Sequence, residues 1–598
     1  MRHVALLRLV PYLERHQKGL LFGLLCLLLT TAFAVASPWV LRFAIDDLSR
    51  ELTRERLYLY AGALVSIVAI EGLFRYGMRT ILIGISREME YELRRDFFAR
   101  LLELSPSYYQ VQRVGDIMSR GSSDVQAVRA VLGPGIMYTA NTLATFVGAI
   151  ALMLTISPRL TMIALVPLGM VSVLVRVFGR RIHERFTRVQ EQLSEMTALV
   201  QESLSGIRVV RAYVQEPHEI ASFEAANDEF VERNAGLIRM FGSLYPGIQL
   251  LIGSGAVLVL WLGGGMVIRG TISLGEFVAF GSYLVMLHWP MIALGWVVNL
   301  FERGDASMAR ILEVLDAKVE IADADPAPVT ALPGRVEFRG LRFAYPGTDE
   351  TVLHDIDLDV PAGATVAIVG PTGAGKSTLV SLIPRLFEAA PETLFLDGTD
   401  VRRIPLETLR GAVGFVPQET FLFSETVREN IAFGIQAEPV GATAESTGVP
   451  GSKGVSDERV EWAAGIAQLS QDIDGFRNGY ETFVGERGIT LSGGQKQRAA
   501  IARAIATDPR ILIFDDSLSA VDTYTEERIL NDLRSVMDSR TTFLVSHRVS
   551  TVQNADLIVV LQEGRITQRG THDELVAQRG FYAELHRRQL LEREVQTA

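Results

Sequence analysis

Three short runs in the second half of the chain carry residues whose types and spacing suit phosphate chemistry. The apolar strand from Thr365 to Val369 leads into Gly370-Pro371-Thr372-Gly373-Ala374-Gly375-Lys376-Ser377-Thr378 and then into a helical pattern. That is the strand, loop and helix order a phosphate-binding loop requires. The glycines let backbone N–H groups converge on a phosphate, and the helix N-terminus adds its dipole. Lys376 is placed to neutralise the terminal phosphates and Ser377 to ligate Mg²⁺. A second run, Ile511-Leu512-Ile513-Phe514-Asp515, reads as a buried strand ending in a carboxylate suited to the Mg²⁺ shell. Together the two runs predict an ATP or GTP site. Between them, Leu491-Ser492-Gly493-Gly494-Gln495 opens a helix through Lys496, Gln497 and Arg498, which makes a second cradle for phosphate. One nucleotide needs only one cradle, so the second is expected to cap ATP held by another subunit.

The rest of the chain must position these runs, and its composition divides it in two. With 58 basic and 69 acidic residues among 598, the net charge of −11 argues against a nucleic-acid binder, which needs clustered basic residues. Residues 1 to 320 hold 31 basic and 29 acidic groups, and the remainder 27 and 40. A mean hydropathy of +0.23 suggests that one half lies in lipid. Charge-free windows at 19–41, 130–158, 160–175, 240–268 and 277–301 are mostly long enough for the ~20 residues of a spanning helix. A sixth span starts at 57–70 and must continue through Glu71, Arg75 and Arg79, which share one helical face. There Glu71 and Arg75 can neutralise each other inside the bundle, or the three can line a cavity. Pro38, Pro167, Pro246 and Pro290 fall in or near spans, where neighbours can satisfy the freed carbonyls.

Lys and Arg number twenty in residues 1–18, 87–129 and 176–239, against five in the alternate turns. The positive-inside rule therefore puts both termini in the cytoplasm. The long cytoplasmic connections are patterned as helix, so the spanning helices are expected to project beyond the bilayer. The N-terminal run ending Ala34-Val35-Ala36 imitates a cleavable signal, but the apolar stretch continues through Trp39, Val40 and Leu41. Residues 4–15 read as an amphipathic helix at the membrane surface. Cys26, the single cysteine, can form no internal disulfide and is expected to be buried. Residues 1–18 thus form an N-terminal segment and 19–316 a membrane domain. An acidic, proline-bearing linker follows at 317–334, and 335–598 make the nucleotide domain.

The order of phosphate loop, Gln418, Leu491 to Gln495, Asp515, Ser519-Ala520-Val521-Asp522 and His547 resembles the nucleotide-binding domain of ATP-binding cassette transporters. Preceded by six spans, the chain resembles a bacterial half-size ABC exporter over essentially its whole length. Gly115-Asp116 with Ser119-Arg120, Gly206-Ile207-Arg208 with Arg211-Ala212-Tyr213, and Gly570-Thr571-His572 add to the match. The resemblance implies a polytopic α-helical membrane domain of six long helices plus an α/β P-loop ATPase domain. ATP would be held by Gly370, Thr372, Gly373, Gly375, Lys376, Ser377 and Thr378, and Mg²⁺ by Ser377, Gln418 and Asp515. It further implies that Tyr345 stacks on adenine, that Gln418 reaches the attacking water, and that His547 reaches the γ-phosphate. Ser492, Gly493, Gly494 and Gln495 would complete the site of a partner subunit, and Glu486-Arg487 would touch the cytoplasmic helices.

The family normally has glutamate after the Mg²⁺ aspartate, to polarise the attacking water; here Asp516 stands there. Aspartate is one methylene shorter, and a general base contributes about 10²- to 10⁴-fold. This departure resembles one half of a heterodimeric exporter: the chain's own site hydrolyses slowly, and its intact signature serves a partner that carries glutamate. A homodimer tolerating aspartate is the other reading. A further departure is the Gly-, Pro-, Ser- and Thr-rich run 436–456, expected to be a flexible loop. Export of small amphipathic compounds across the cytoplasmic membrane is the expected function, with lipid flipping as the alternative. Glu71, Arg75, Arg79, Glu276, His288, Trp289 and Trp296 are equally readable as cavity lining or as packing.

Overall fold

The computed structural model describes residues 5–49, 53–323, 325–329, 331–348, 350–435, 457–485, 488 and 491–597. Glu486, Arg487 and the run 436–456, for which the sequence suggested roles or a loop, lie outside the described residues. The chain forms two compact units. One comprises Met1–Leu102 and Val114–Ala317, the other Glu103–Arg113 and Lys318–Ala598.

Among the described residues, six helices are long and apolar enough to cross a membrane. They are α1 (Gln17–Leu48), α2 (Arg54–Glu103), α3 (Val114–Ile156), α4 (Pro158–Ser205), α5 (Glu216–Ile268) and α6 (Leu274–Leu315). Several exceed the ~20 residues a span requires by more than twofold, as the patterned connections predict. Their boundaries follow from capping. Ser157 accepts from Leu160 N (3.3 Å) ahead of Pro158, which sits in the first turn of α4. Ser273 and Glu276 form a reciprocal capping box at the start of α6. Asp46, near the end of α1, accepts from Ser273 Oγ (2.6 Å) and Gly275 N (2.7 Å), tying the two helix ends together. Arg75 pairs with Glu71 along α2, and Cys26 is buried.

Helices α4 and α5 run antiparallel against each other, and glycines set how closely they approach. A Cβ on Gly247 would lie 3.4 Å from Leu174, on Gly255 3.6 Å from Pro167, and on Gly263 3.3 Å from Leu160, the small-residue contact that lets helices pack in lipid. Within α3, two wide turns at Arg120–Asp124 and Val131–Gly135 interrupt the regular hydrogen bonding. The first of them presents buried Asp124 to Ser307 Oγ (2.9 Å) and Arg310 Nε (2.8 Å) of α6.

In the second unit, the short helix Pro106–Val111 belongs with residues 318 onward. Ser105 Oγ and Ser107 Oγ both donate to Glu320 Oε2, at 3.0 and 2.6 Å. Ten strands follow among the described residues: β1 (Val336–Ala344), β2 (Thr351–Val360), β3 (Thr365–Val369), β4 (Leu394–Leu396), β5 (Thr399–Asp400), β6 (Val413–Val416), β7 (Ile511–Asp515), β8 (Thr541–Val545), β9 (Leu557–Gln562) and β10 (Arg565–Gly570). They make an antiparallel sheet in the order β2-β1-β4-β5 and a six-stranded sheet in the order β10-β9-β3-β8-β7-β6. In the larger sheet β9, β3, β8, β7 and β6 are parallel, and β10 closes the edge antiparallel. Its strands are apolar on both faces. Val366, Ile368, Ile511, Ile513 and Phe543 feed one core cluster, and Ala367, Val369, Leu512, Phe514 and Leu544 the other. Such burial on both faces requires continuous apolar runs.

Gly370 follows β3 with no room for a side chain: a Cβ there would lie 2.0 Å from the carbonyl oxygen of Leu561. We expect Gly370→Ala to separate β3 from β9 and to cost about 2 kcal/mol or more. Thermal unfolding of the full-length protein in detergent, compared with the wild type, measures this.

Candidate functional site

Four adjacent parallel strands deliver side chains to one place from their carboxyl ends, the position where open α/β sheets bind ligands. From β3 comes the loop Gly370 to Thr378. From β7 come Asp515 and Asp516, from β8 His547, and from β6 Gln418, two residues past the end of that strand. A cavity of about 210 Å³ is lined by Val352, residues 372–378, Gln418, Asp515, Asp516, Val545 and His547. Of the residues the sequence assigned to this chain's own site, only Gly370 and Tyr345 are not on its wall.

The loop folds back through two left-handed glycines, Gly373 (φ +82°) and Gly375 (φ +94°), a backbone that side chains disfavour. A Cβ on Gly375 would also lie 2.8 Å from Leu353. Lys376 Nζ donates to the carbonyl oxygens of Gly370 and Pro371, at 2.9 Å each, so the loop winds around its own lysine. Gly370 thus meets Lys376 through its carbonyl and does not face the cavity. Lys376 leads helix α7 (Lys376–Ser381). Ser377 Oγ donates to Asp515 Oδ1 (2.9 Å), so a hydroxyl and a carboxylate already converge. That oxygen donor set fits Mg²⁺, which favours one or two carboxylates plus phosphate oxygens.

Burial dominates the electrostatics here. It raises the carboxyl groups of Asp515 and Asp516 above the usual aspartate range, while the Lys376 charge pulls both back down. It lowers Lys376 and His547 below their ordinary values, with the Lys376 charge lowering His547 further. His547 is therefore neutral at pH 7. Asp516 takes a left-handed backbone (φ +47°), which aspartate tolerates better than most residues. Its N–H donates to Val545 O (2.9 Å), pinning it to the end of β8.

Tyr345 stands beside the cavity. Its hydroxyl meets Thr378 Oγ1 at 2.8 Å, and its ring packs edge-on against Phe343 and Phe387. Ser492 and Gln495 are placed elsewhere in the unit, capping helix α8 (Gly493–Ala506) with a reciprocal box. Gln495 Nε2 also donates to Asp472 (2.8 Å). The second cradle is thus a separate surface and adds no residue to the cavity wall.

Two residues to which the sequence assigned no role link these parts. Gln497 Nε2 donates to Ser519 Oγ (3.2 Å) and its Oε1 accepts from Ala520 N (2.9 Å), joining α8 to the segment after Asp516. Its position one turn past Gly493 on the buried face was the available signal. Arg503 Nε and Nη1 donate to the carbonyls of Asn430 (2.8 Å) and Phe421 (2.9 Å), tying α8 to the segment after Gln418. Burial lowers the guanidinium of Arg503 to about 10.

Residues 20–291 match the family model described as ABC transporter transmembrane region, and residues 353–519 the model described as ABC transporter. YheI of Bacillus subtilis (strain 168), a probable multidrug resistance ABC transporter ATP-binding/permease protein, is 37% identical over 95% of this chain and 95% of its own length. An ATP-dependent lipid A-core flippase of Syntrophus aciditrophicus (strain SB) is 31% identical, covering 98% of this chain and 95% of its own. The structure of a bacterial Atm1-family ABC exporter with ATP bound matches with a TM-score of 0.77 at 28% identity. That match covers 96% of this chain and 98% of the other.

The lowered His547 has a consequence for stability. The folded protein binds fewer protons than the unfolded chain as pH falls through 6.5, so stability drops across that limb. The raised Asp515 and Asp516 have the opposite slope, losing stability as pH rises through their folded values. We expect His547→Gln to flatten the loss below pH 6.5, read from unfolding midpoints of nucleotide-free protein across a pH series.

Proposed function

The chain belongs to the ABC transporter family as a half-size exporter, a membrane domain fused to an ATPase domain that drives transport, and we propose that it works as one half of a heterodimer. In this reading it lies in the bacterial cytoplasmic membrane with both termini inside, and it exports small amphipathic or hydrophobic compounds. The twenty basic residues on one set of connections support the orientation. The name of the Bacillus relative supports the substrate class. The flippase relative keeps a lipid substrate as the second reading.

The observation that carries the heterodimer is Asp516. It follows the Ser377-bonded Asp515, lines the cavity beside His547, and ends one methylene short of the glutamate usual in the family. In the proposed roles Lys376 and the loop N–H groups hold the ATP phosphates, and Tyr345, steadied by Thr378, offers its ring to adenine. Ser377, Asp515 and Gln418 hold Mg²⁺, which supplies charge neutralisation for the phosphates when bound. His547, neutral at pH 7, can donate one hydrogen bond toward the γ-phosphate. Asp516 is too short to hold the attacking water well. Ser492 to Gln495, apart from the chain's own cavity, complete the partner's site. Gln497 and Arg503 then make α8 report both on the segment after Asp516 and on the segment after Gln418. Closure of two cassettes on two nucleotides switches the membrane bundle as a rigid-body change. It works because ATP binds the closed state more tightly than the open one.

Asp516→Glu tests the reading. We expect it to raise steady-state ATP hydrolysis by roughly 10²-fold, within the range a general base supplies, with ATP affinity unchanged. Unchanged turnover in a variant that still binds ATP would show that Asp516 does not limit the reaction.

A further inference from the structure

Away from the nucleotide site, the first unit holds a cavity of about 590 Å³ between α4 and α5, lined by Arg181, Glu184, Arg185, Arg188, Gly236, Arg239 and Met240. Four guanidinium groups share this wall with a single carboxylate, Glu184, which has a partner of its own. None of the four arginines makes an ion pair with a described residue. A Cβ on Gly236 would lie 2.7 Å from Arg185 Nη1, so that guanidinium lies against the bare backbone of α5. Arg233 Nη1 donates to Arg188 O (2.9 Å), bracing the two helices at the aqueous end. Toward the membrane the two helices meet through apolar residues and glycine, as the Gly247, Gly255 and Gly263 contacts show, and farther from it through Gln192 Nε2 to Ala226 O (3.2 Å) and Ser203 Oγ to Glu219 Oε2 (2.6 Å).

The depth of the cavity selects its occupant. On α5, Arg239 is the last charge before the charge-free run 240–268, and on α4, Arg176 is the first charge after the run 160–175. At 1.5 Å per residue, Arg181 lies roughly 7 Å beyond Arg176, within the headgroup layer. Arg185 and Arg188 follow about one and two turns further toward water. The membrane-proximal end of the cavity, at Arg181 and Arg239, is therefore level with lipid phosphates on the side to which the basic connections assign the cytoplasm, while Arg185 and Arg188 lie about 13 and 18 Å beyond Arg176, past the headgroup layer.

We propose that this pocket binds the phosphate headgroup of an anionic glycerophospholipid from the cytoplasmic leaflet. Guanidinium forks suit phosphate oxygens bidentately, and basic pockets between spanning helices on the cytoplasmic side are suited to anionic headgroups. The bound lipid braces the α4–α5 pair at the point where it leaves the bilayer. This site is independent of the ATP site and of whether the partner chain is identical.

The test is lipid retention by the full-length protein in nanodiscs of phosphatidylcholine doped with phosphatidylglycerol, read by native mass spectrometry. We expect the wild type to retain phosphatidylglycerol in preference to phosphatidylcholine. The double variant Arg181→Gln/Arg185→Gln should lose that preference by roughly tenfold. Arg181→Lys/Arg185→Lys, which keeps the charge, should keep most of it, and nucleotide binding by each variant checks that it is folded. Equal retention by wild type and the Gln variant would overturn the proposal. So would a wild type indifferent to phosphatidylglycerol whose unfolding midpoint rises with inorganic phosphate but not in the Gln variant, since the pocket would then take a soluble anion.

Discussion

Everything at the nucleotide site depends on the parallel register of β6, β7, β8 and β3. Val416 pairs with Phe514, Asp515 with Val545, and Ile368 with Val545, so the carboxyl ends of all four strands finish at one level. A shift of one residue in any of them would turn its apolar side chains to the other face. It would also move its functional residue by about 3.3 Å. The two core clusters resist such a slip. Ile511 and Ile513 must point one way and Leu512 and Phe514 the other. The energy that orients Asp515 beside Ser377 is thus supplied mostly by side chains that never meet a nucleotide.

That frame explains why the local chemistry tolerates unfavourable groups. Two aspartates, a lysine and a histidine crowd a half-buried cavity, and burial works against the charged form of each. Asp516 adds a left-handed backbone held by Val545. Strain and desolvation gathered in one place are the mark of a site whose geometry is imposed by its surroundings. The second cradle has no such crowding: Ser492 and Gln495 satisfy each other, and Gly493 and Gly494 carry no side chain. A surface of that kind is satisfied within its own helix cap, and Gly493 leaves its backbone exposed.

Much of this was legible in the chain because it rests on local pattern. Thr365–Val369 and Ile511–Asp515 are strands because their apolar runs are uninterrupted, and the glycines of the following loop sit at positive φ as their type suggests. The spanning helices could be read from charge-free runs, and even Glu71 and Arg75 pair as their spacing indicates. Contacts between segments distant in sequence were not legible. Nothing local places β8 between β3 and β7, or sends Ser105 and Ser107 to Glu320 across more than two hundred residues. The four-arginine cavity was hidden for the same reason: along α4 the arginines read as a cytoplasmic charge run, and only the opposing Gly236 and Arg239 of α5 turn them into a pocket.

The central claim is that this chain binds ATP at a site it hydrolyses poorly alone. Steady-state ATP hydrolysis by the purified chain in lipid nanodiscs, with nucleotide binding measured on the same sample, tests it most directly. The account predicts binding, lost in Lys376→Ala, with little turnover until a glutamate-bearing partner is added. Brisk turnover by the chain alone, abolished by Lys376→Ala, would mean a working homodimer and would contradict it.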